Sequence, residues 1–323
     1  NDVSGDINVT GSSTSVIRSI TGDTDPGSLR MREAISIDVA TGATLDIQAV
    51  IGSSTSSGET SLAGPAGITK TGAGTLLLYG ANQYRGDTTI NVGTLTVTGS
   101  LSDQTAVVLA GGTTYNVDAT DTIGSLAGGG AVVLGTDQSS NPFTLSAGAN
   151  NSSTTYSGDM SGDGAFEKVG TGRLTLTGSN SYTGGTINSG GFLRGDTDAI
   201  QGDILNNSIV EFDIANGNEE TYAGTMSGIG VLEKIGDGTL VLSTNNDHQG
   251  GVTIRAGKLA VTADGALGDP TGSTDGIIYG TPTAVGRTDK WKIVAVPAGW
   301  TPTAGNAIPY DAYAIDFGDT FKI

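Results

Sequence analysis

The chain has 323 residues, with 53 glycines, no cysteine, 15% charged residues and a formal net charge of −18. Without cysteine, disulfides, thiol catalysis and thiolate zinc sites are excluded. The acidic balance repels nucleic-acid phosphates and anionic membrane surfaces, so neither is expected as a partner. Hydrophobic residues, 36% of the chain, recur in short Val/Ile/Leu runs between glycine-rich turns, a pattern of many short strands. No run reaches the roughly 18 apolar residues of a membrane-spanning helix. The chain opens at Asn1 with no initiator Met or signal-like segment, which reads as a processed part of a larger precursor.

In chain order, the first distinctive element is Ser28–Ile35. Ser28 in an N-cap position followed by Leu29, Arg32 and Glu33 predicts a short helix that caps the N-terminal end. Next comes the segment that defines the chain. Lys70-Thr71-Gly72-Ala73-Gly74-Thr75-Leu76-Leu77-Leu78 is followed by Gly80, Asn82, Tyr84, Gly86, Ile90, Gly93 and Leu95. The pattern returns from Lys168 through Gly170, Gly172, Leu174, Leu176, Asn180, Tyr182 and Ile187 to Phe192. It returns again from Lys234 through Gly236, Gly238, Leu240, Leu242, Asn246, His248 and Ile254 to Leu259. The three copies lie near 68–98, 166–195 and 232–262.

The physical content of one copy is plain. Lys-x-Gly-x-Gly makes a tight turn, Leu-x-Leu puts two side chains on one strand face, and Gly-x-Asn makes the next turn. Three short strands and three turns in roughly 25–30 residues describe one coil of a parallel β-helix rather than a hairpin. Degenerate coils fill the intervals, for example Thr122-Ile123-Gly124-Ser125-Leu126 before Val132-Val133-Leu134. The expected fold is therefore all-β, a right-handed parallel β-helix (solenoid) over 1–270. Beyond Pro270 the composition changes. Pro270 and four of the other 7 prolines, with both tryptophans, fall from there to the end, which predicts a distinct C-terminal β cap or small module over 271–323. Trp291, Trp300, Tyr310 and Tyr313 are its candidate interface or core plug.

The repeat residues resemble the passenger-associated repeats of bacterial autotransporters (type V secretion), over roughly half of the chain. The resemblance implies a β-helical passenger at a Gram-negative cell surface or outside the cell, acting in adhesion, self-association or display. It implies as partners a host or bacterial surface ligand (protein or glycan) or a second copy. It also implies an outer-membrane translocator barrel in the precursor. Two features depart from that architecture: no such barrel follows within the sequence, and the final residue is Ile323 rather than an aromatic. Asp25-Pro26-Gly27 ahead of Ser28–Ile35 also resembles an N-terminal segment of some β-helical surface proteins.

Candidate chemistry is sparse, and the expectation is a non-enzyme with no cofactor and no metal. No Asp-rich calcium repeat is present. His248, the single histidine, occupies the repeat position of Tyr84 and Tyr182, which favours packing over catalysis. Gly124-Ser125-Leu126-Ala127-Gly128 is not a nucleophile elbow. Asp159 with Asp163, and Glu211 with Asp213, are the carboxylate pairs a carbohydrate-active β-helix would use, at a spacing suited to acid–base cleavage. Arg-Gly-Asp occurs at Arg85-Gly86-Asp87 and Arg194-Gly195-Asp196 and is a candidate receptor motif, although Gly86 belongs to the repeat. A third possibility is a structural subunit that assembles into an array or filament through its ends.

Overall fold

The protein is described from a computed structural model, which covers residues 2–3, 5–18, 28–53, 66–263 and 265–268, and the backbone of 277–280, 291–294 and 312–313. It divides into two compact units, Asn1–Gly185 and Thr186–Ile323. Each is built from short strands paired in parallel with the strand one coil away, so the chain is an all-β parallel solenoid. The strands are short because Gly-x-Gly and Gly-x-Asn turns recur before a longer strand can form.

In the first unit the Leu-x-Leu strand of the repeat, Thr75–Leu78, pairs with Thr44–Ile47 on one side and Thr94–Val97 on the other. Thr114–Val117 and Ala131–Leu134 extend that sheet. Period-two alternation sends every second side chain inward. The register then stacks like on like: Leu45, Leu76, Leu95, Tyr115 and Val132 form one buried ladder. Ile47, Leu78, Val97, Val117 and Leu134 form a second beside it. Neighbouring coils are held by backbone hydrogen bonds along each face and by these apolar stacks, a construction that needs no disulfide.

Coil length varies with what is inserted. Lys70, Ile90, Leu109 and Gly128 pair in succession at steps of 20, 19 and 19 residues, whereas Gly128 to Tyr156 spans 28. A third face enters there: Asp121–Ile123, Thr144–Ala147 and Ala165–Lys168 form a separate sheet. The first and second lysine strands of the repeat thus belong to different sheets.

The second unit repeats the arrangement. Ile209–Asp213, Val231–Ile235 and Val252–Ile254 pair in parallel, burying Val210, Leu232 and Val252 in register. The Leu-x-Leu strand Thr239–Leu242 pairs with Glu219–Tyr222 and Lys258–Val261. The backbone of Ile277–Gly280 continues in parallel from Val252–Ile254, and Trp291–Val294 pairs with it antiparallel.

The expected N-terminal helix is corrected by the structure. Ser28–Met31 and Ile35–Val39 are strands, and there is no helix among the described residues. Leu29, Met31, Ile35, Ile37 and Val39 are buried while Arg32, Glu33 and Ala34 are exposed. The apolar residues thus follow period two on both sides of a bend, and pairing of Ser28–Met31 with Val50–Ser53 outweighs the local cap signal. Of the C-terminal candidates, Trp291 and Tyr313 fall on short backbone strands, and Trp300 and Tyr310 lie outside the described residues.

Candidate functional site

The repeat lysine points inward. Lys70 is fully buried, and its ammonium donates to the carbonyls of Thr71 at 2.7 Å, Gly72 at 2.6 Å and Val92 at 3.1 Å. Lys234 donates to Ile235 at 2.6 Å, Gly236 at 2.8 Å and Ala256 at 3.3 Å. Lys168 donates to Val169 at 2.6 Å and Gly170 at 3.0 Å. A turn that curls three carbonyls toward one point needs a donor there, and an ammonium has three N–H groups to give. Gly72 and Gly236 take φ of +70° and +72° to curl it, a conformation open to glycine. Burial pulls each lysine down to about 8, with Asp38 opposing at Lys70. Gly74, Gly172 and Gly238 lie where a side chain would strike the backbone of the preceding coil. Leu76, Leu174 and Leu240 are core residues.

The repeat asparagine is a bracket between coils. Asn82 accepts from the Ile51 N–H at 3.0 Å and donates to the Ser100 carbonyl at 3.0 Å, one coil on each side. Asn180 accepts from Met160 N–H at 2.7 Å, and Asn246 from Met226 N–H at 2.7 Å while donating to Ala266 at 2.6 Å. Sequence reasoning missed a fourth member. Asp121 accepts from Leu101 N–H at 3.0 Å, at the same 20-residue offset as Asn180 and Asn246. A carboxylate has no N–H to offer. Burial pushes this one up to about 7, with Asp103 adding to the rise. The shared offset behind a buried apolar residue was the signal that would have found it.

The third group of repeat residues explains His248. The Tyr84 hydroxyl bonds Thr88 Oγ1 at 2.6 Å inside the core. At the corresponding positions of the third copy stand His248 and Val252, so the ring has lost its hydroxyl partner. His248 is 1% exposed, and neither ring nitrogen has a partner among the described residues. Burial lowers it to about 4, against the pull of Asp247. It is a core side chain in the neutral state at pH 7.

The carboxylate pairs are engaged in scaffold contacts. Asp159 accepts from Ser179 N–H at 2.8 Å and Asp163 from Thr183 Oγ1 at 3.0 Å. Glu211 is buried between strands, and Asp213 takes both Nε and a terminal nitrogen of Arg194, at 3.1 and 2.5 Å. Arg255 grips Glu233 with two bonds of 2.6 Å. This outer strip is an arginine–carboxylate ladder.

The two Arg-Gly-Asp segments differ. Arg194 belongs to that ladder, Gly195 ends the strand Phe192–Gly195, and Asp196 accepts from the N–H groups of Asp198 and Ala199 at 3.1 and 2.8 Å. In the first segment Gly86 is packed against the backbone of Ala66 and Gly67, with its N–H donating to Ala66 at 2.9 Å. Arg85 and Asp87 are exposed on either side of it. Arg85 also lines an open pocket of about 680 Å3, described below.

Three segments, 68–97, 166–194 and 232–261, match the family described as passenger-associated-transport-repeat. The chain is 33% identical over 240 residues to an adhesin autotransporter, BmaC, of Brucella suis biovar 1 (strain 1330), covering 60% of this chain and 7% of that protein. Over 41 residues it is 54% identical to an extracellular serine protease of Serratia marcescens, covering 13% of this chain and 4% of the protease. The chain spans less than a tenth of either relative's length. No solved structure gives a significant match.

A parallel solenoid that carries this repeat is a surface passenger, located at the cell surface or outside the cell. The three repeats and the adhesin relative support an autotransporter passenger domain.

Proposed function

We propose that the chain is a non-enzymatic part of an adhesin passenger, presenting an outer surface to a host or bacterial ligand. The observation that carries this reading is the use to which its reactive groups are put. Lysines, bracket asparagines, His248 and the paired carboxylates all serve the scaffold. A hydrolytic site needs converging groups free to move protons. The relative named as an adhesin supports the same reading. The similarity to a secreted protease is confined to 41 residues. Residues 1–270 then form the display solenoid, 271–323 a separate C-terminal module, and a translocator barrel belongs to the precursor.

The test is display of the whole passenger on a non-adherent Gram-negative host. Binding to host cells, matrix proteins or other displaying cells is expected. It should survive Glu211→Gln and Asp213→Asn changes. Absence of all adherence, or glycan or peptide cleavage abolished by those changes, refutes the reading.

A further inference from the structure

We infer that the cleft between Gln83–Arg85 and Ser102–Gln104 is a binding site for a neutral oligosaccharide, an inference that rests on the adhesin reading above. The cleft exists because the ladder between two coils is interrupted. Ala81 and Ser100 form a parallel bridge, and Asn82 N–H donates to Ser100 at 2.8 Å. On the far side, Thr105 Oγ1 donates to the Tyr84 carbonyl at 2.9 Å. Between those points no backbone hydrogen bond joins Gln83–Arg85 to Leu101–Gln104 among the described residues. The second strip turns away instead, with Thr105 N–H donating to Ser102 at 2.8 Å. On its other side the same strip is closed, with Gln83 N–H donating to Ile51 at 2.7 Å, as Ser181 does to Met160 and Asp247 to Met226.

What lines the opening is as informative as the opening. The side chains of Gln83, Arg85, Asp103 and Gln104 have no hydrogen-bond or ion-pair partner among the described residues, and all four are exposed. At other turns the polar side chains are spent on the fold, as Asp159 on Ser179, Asp203 on Thr225 and Asn245 on Gly265. The volume of about 680 Å3 lies within the roughly 300–1,000 Å3 typical of small-ligand sites.

The chemistry selects the ligand class. One guanidinium faces the carboxylate of Asp103 and, behind Leu101, that of Asp121, so the site has no positive field for an anion on a chain of net charge −18. Two planar amides, a guanidinium and the Ser102 hydroxyl are paired donors and acceptors suited to ring hydroxyls. A peptide docks through an open strand edge or apolar pockets. Here the Leu101 N–H is taken by Asp121 and the Tyr84 carbonyl by Thr105, and the Leu101 side chain is buried.

The experiment uses the purified chain on immobilised lacto-N-neotetraose, cellohexaose and maltohexaose. A sialylated tetrasaccharide and a Gly-Arg-Gly-Asp-Ser peptide serve as comparators. Binding to at least one neutral sugar is expected. Gln83→Ala with Gln104→Ala, and separately Arg85→Ala, should weaken it at least tenfold with unchanged thermal unfolding. No binding to any neutral sugar, equal binding by the variants, or binding only to the peptide or the sialylated sugar overturns the site. Adherence of displaying cells separates the two readings. If adherence persists without sugar binding, the site alone fails. If sugar binding persists without adherence, the adhesin reading alone fails.

Discussion

Replacing Asp121 with asparagine is expected to stabilise the first unit above neutral pH and to have little effect in acid. Asp121 fills a bracket position held in the repeats by Asn82, Asn180 and Asn246, and it does so as a buried acid pushed up to about 7. Its usual value is near 3.8. Between those values the native chain binds more protons than the unfolded one. This contribution is therefore full below about pH 4 and lost as pH rises through 7. Three units at 1.36 kcal/mol each set its size at roughly 4 kcal/mol. Asparagine keeps the acceptor for Leu101 N–H, adds the donor used by Asn82 and Asn246, and does not titrate. Wild type and variant should be compared by denaturant unfolding from pH 4.5 to 8.5. Hydrogen exchange at the Leu101 amide adds a local measure, because solenoids lose structure coil by coil. The stability gap should open in favour of the variant by about 2–4 kcal/mol over this range. A gap independent of pH, or a variant less stable at pH 8.5, would refute the assignment of Asp121 as a mismatched bracket.

Other perturbations follow from the same geometry. His248 is lowered to about 4 from 6.5, so its contribution is present above pH 6.5 and disappears as pH falls toward 4. A His248→Tyr, Val252→Thr double change should rebuild the Tyr84–Thr88 bond and flatten acid unfolding of the second unit, read by tryptophan-independent circular dichroism. Tyr115 stands in a ladder of Leu45, Leu76, Leu95 and Val132 with its hydroxyl buried and unpartnered. Tyr115→Phe should leave the unfolding free energy unchanged or raise it by about 1–3 kcal/mol, since it deletes an unsatisfied group. Lys70→Met should cost on the order of 3 kcal/mol or more, because three carbonyls lose their donor together. Arg194→Ala should cost no more than about 1 kcal/mol in the same assay, as a half-exposed pair.

Much of this scaffold was legible in the residues. Leu-x-Leu and the paired glycines predicted strand and turn, and Leu76, Leu174 and Leu240 are buried. The inward course of the lysines was not legible, because a charged residue beside glycines reads equally as a solvated turn. Only the curled carbonyls show that the ammonium is a core group. Ser28–Ile35 misled for a different reason. A good N-cap residue and a few charges imitate a helix locally, while the strand pairing of Ser28–Met31 with Val50–Ser53 is set 22 residues away. The cleft beside Arg85 left no trace in the pattern either. Two segments with the same spacing along the chain can diverge by a single turn at Asp103 and Gln104.

The lysine clamps have a consequence for how pieces of the chain should be cut. Lys70 takes its third carbonyl from Val92, and Lys234 from Ala256, each 22 residues downstream. Such a coil is incomplete on its own, since its ammonium has its last acceptor only when the next turn has docked. Each clamp thus works as a latch that registers the arrival of its successor. A fragment ending between a clamp lysine and its distant carbonyl is expected to fray back past the lysine, whereas one ending just after that carbonyl should hold.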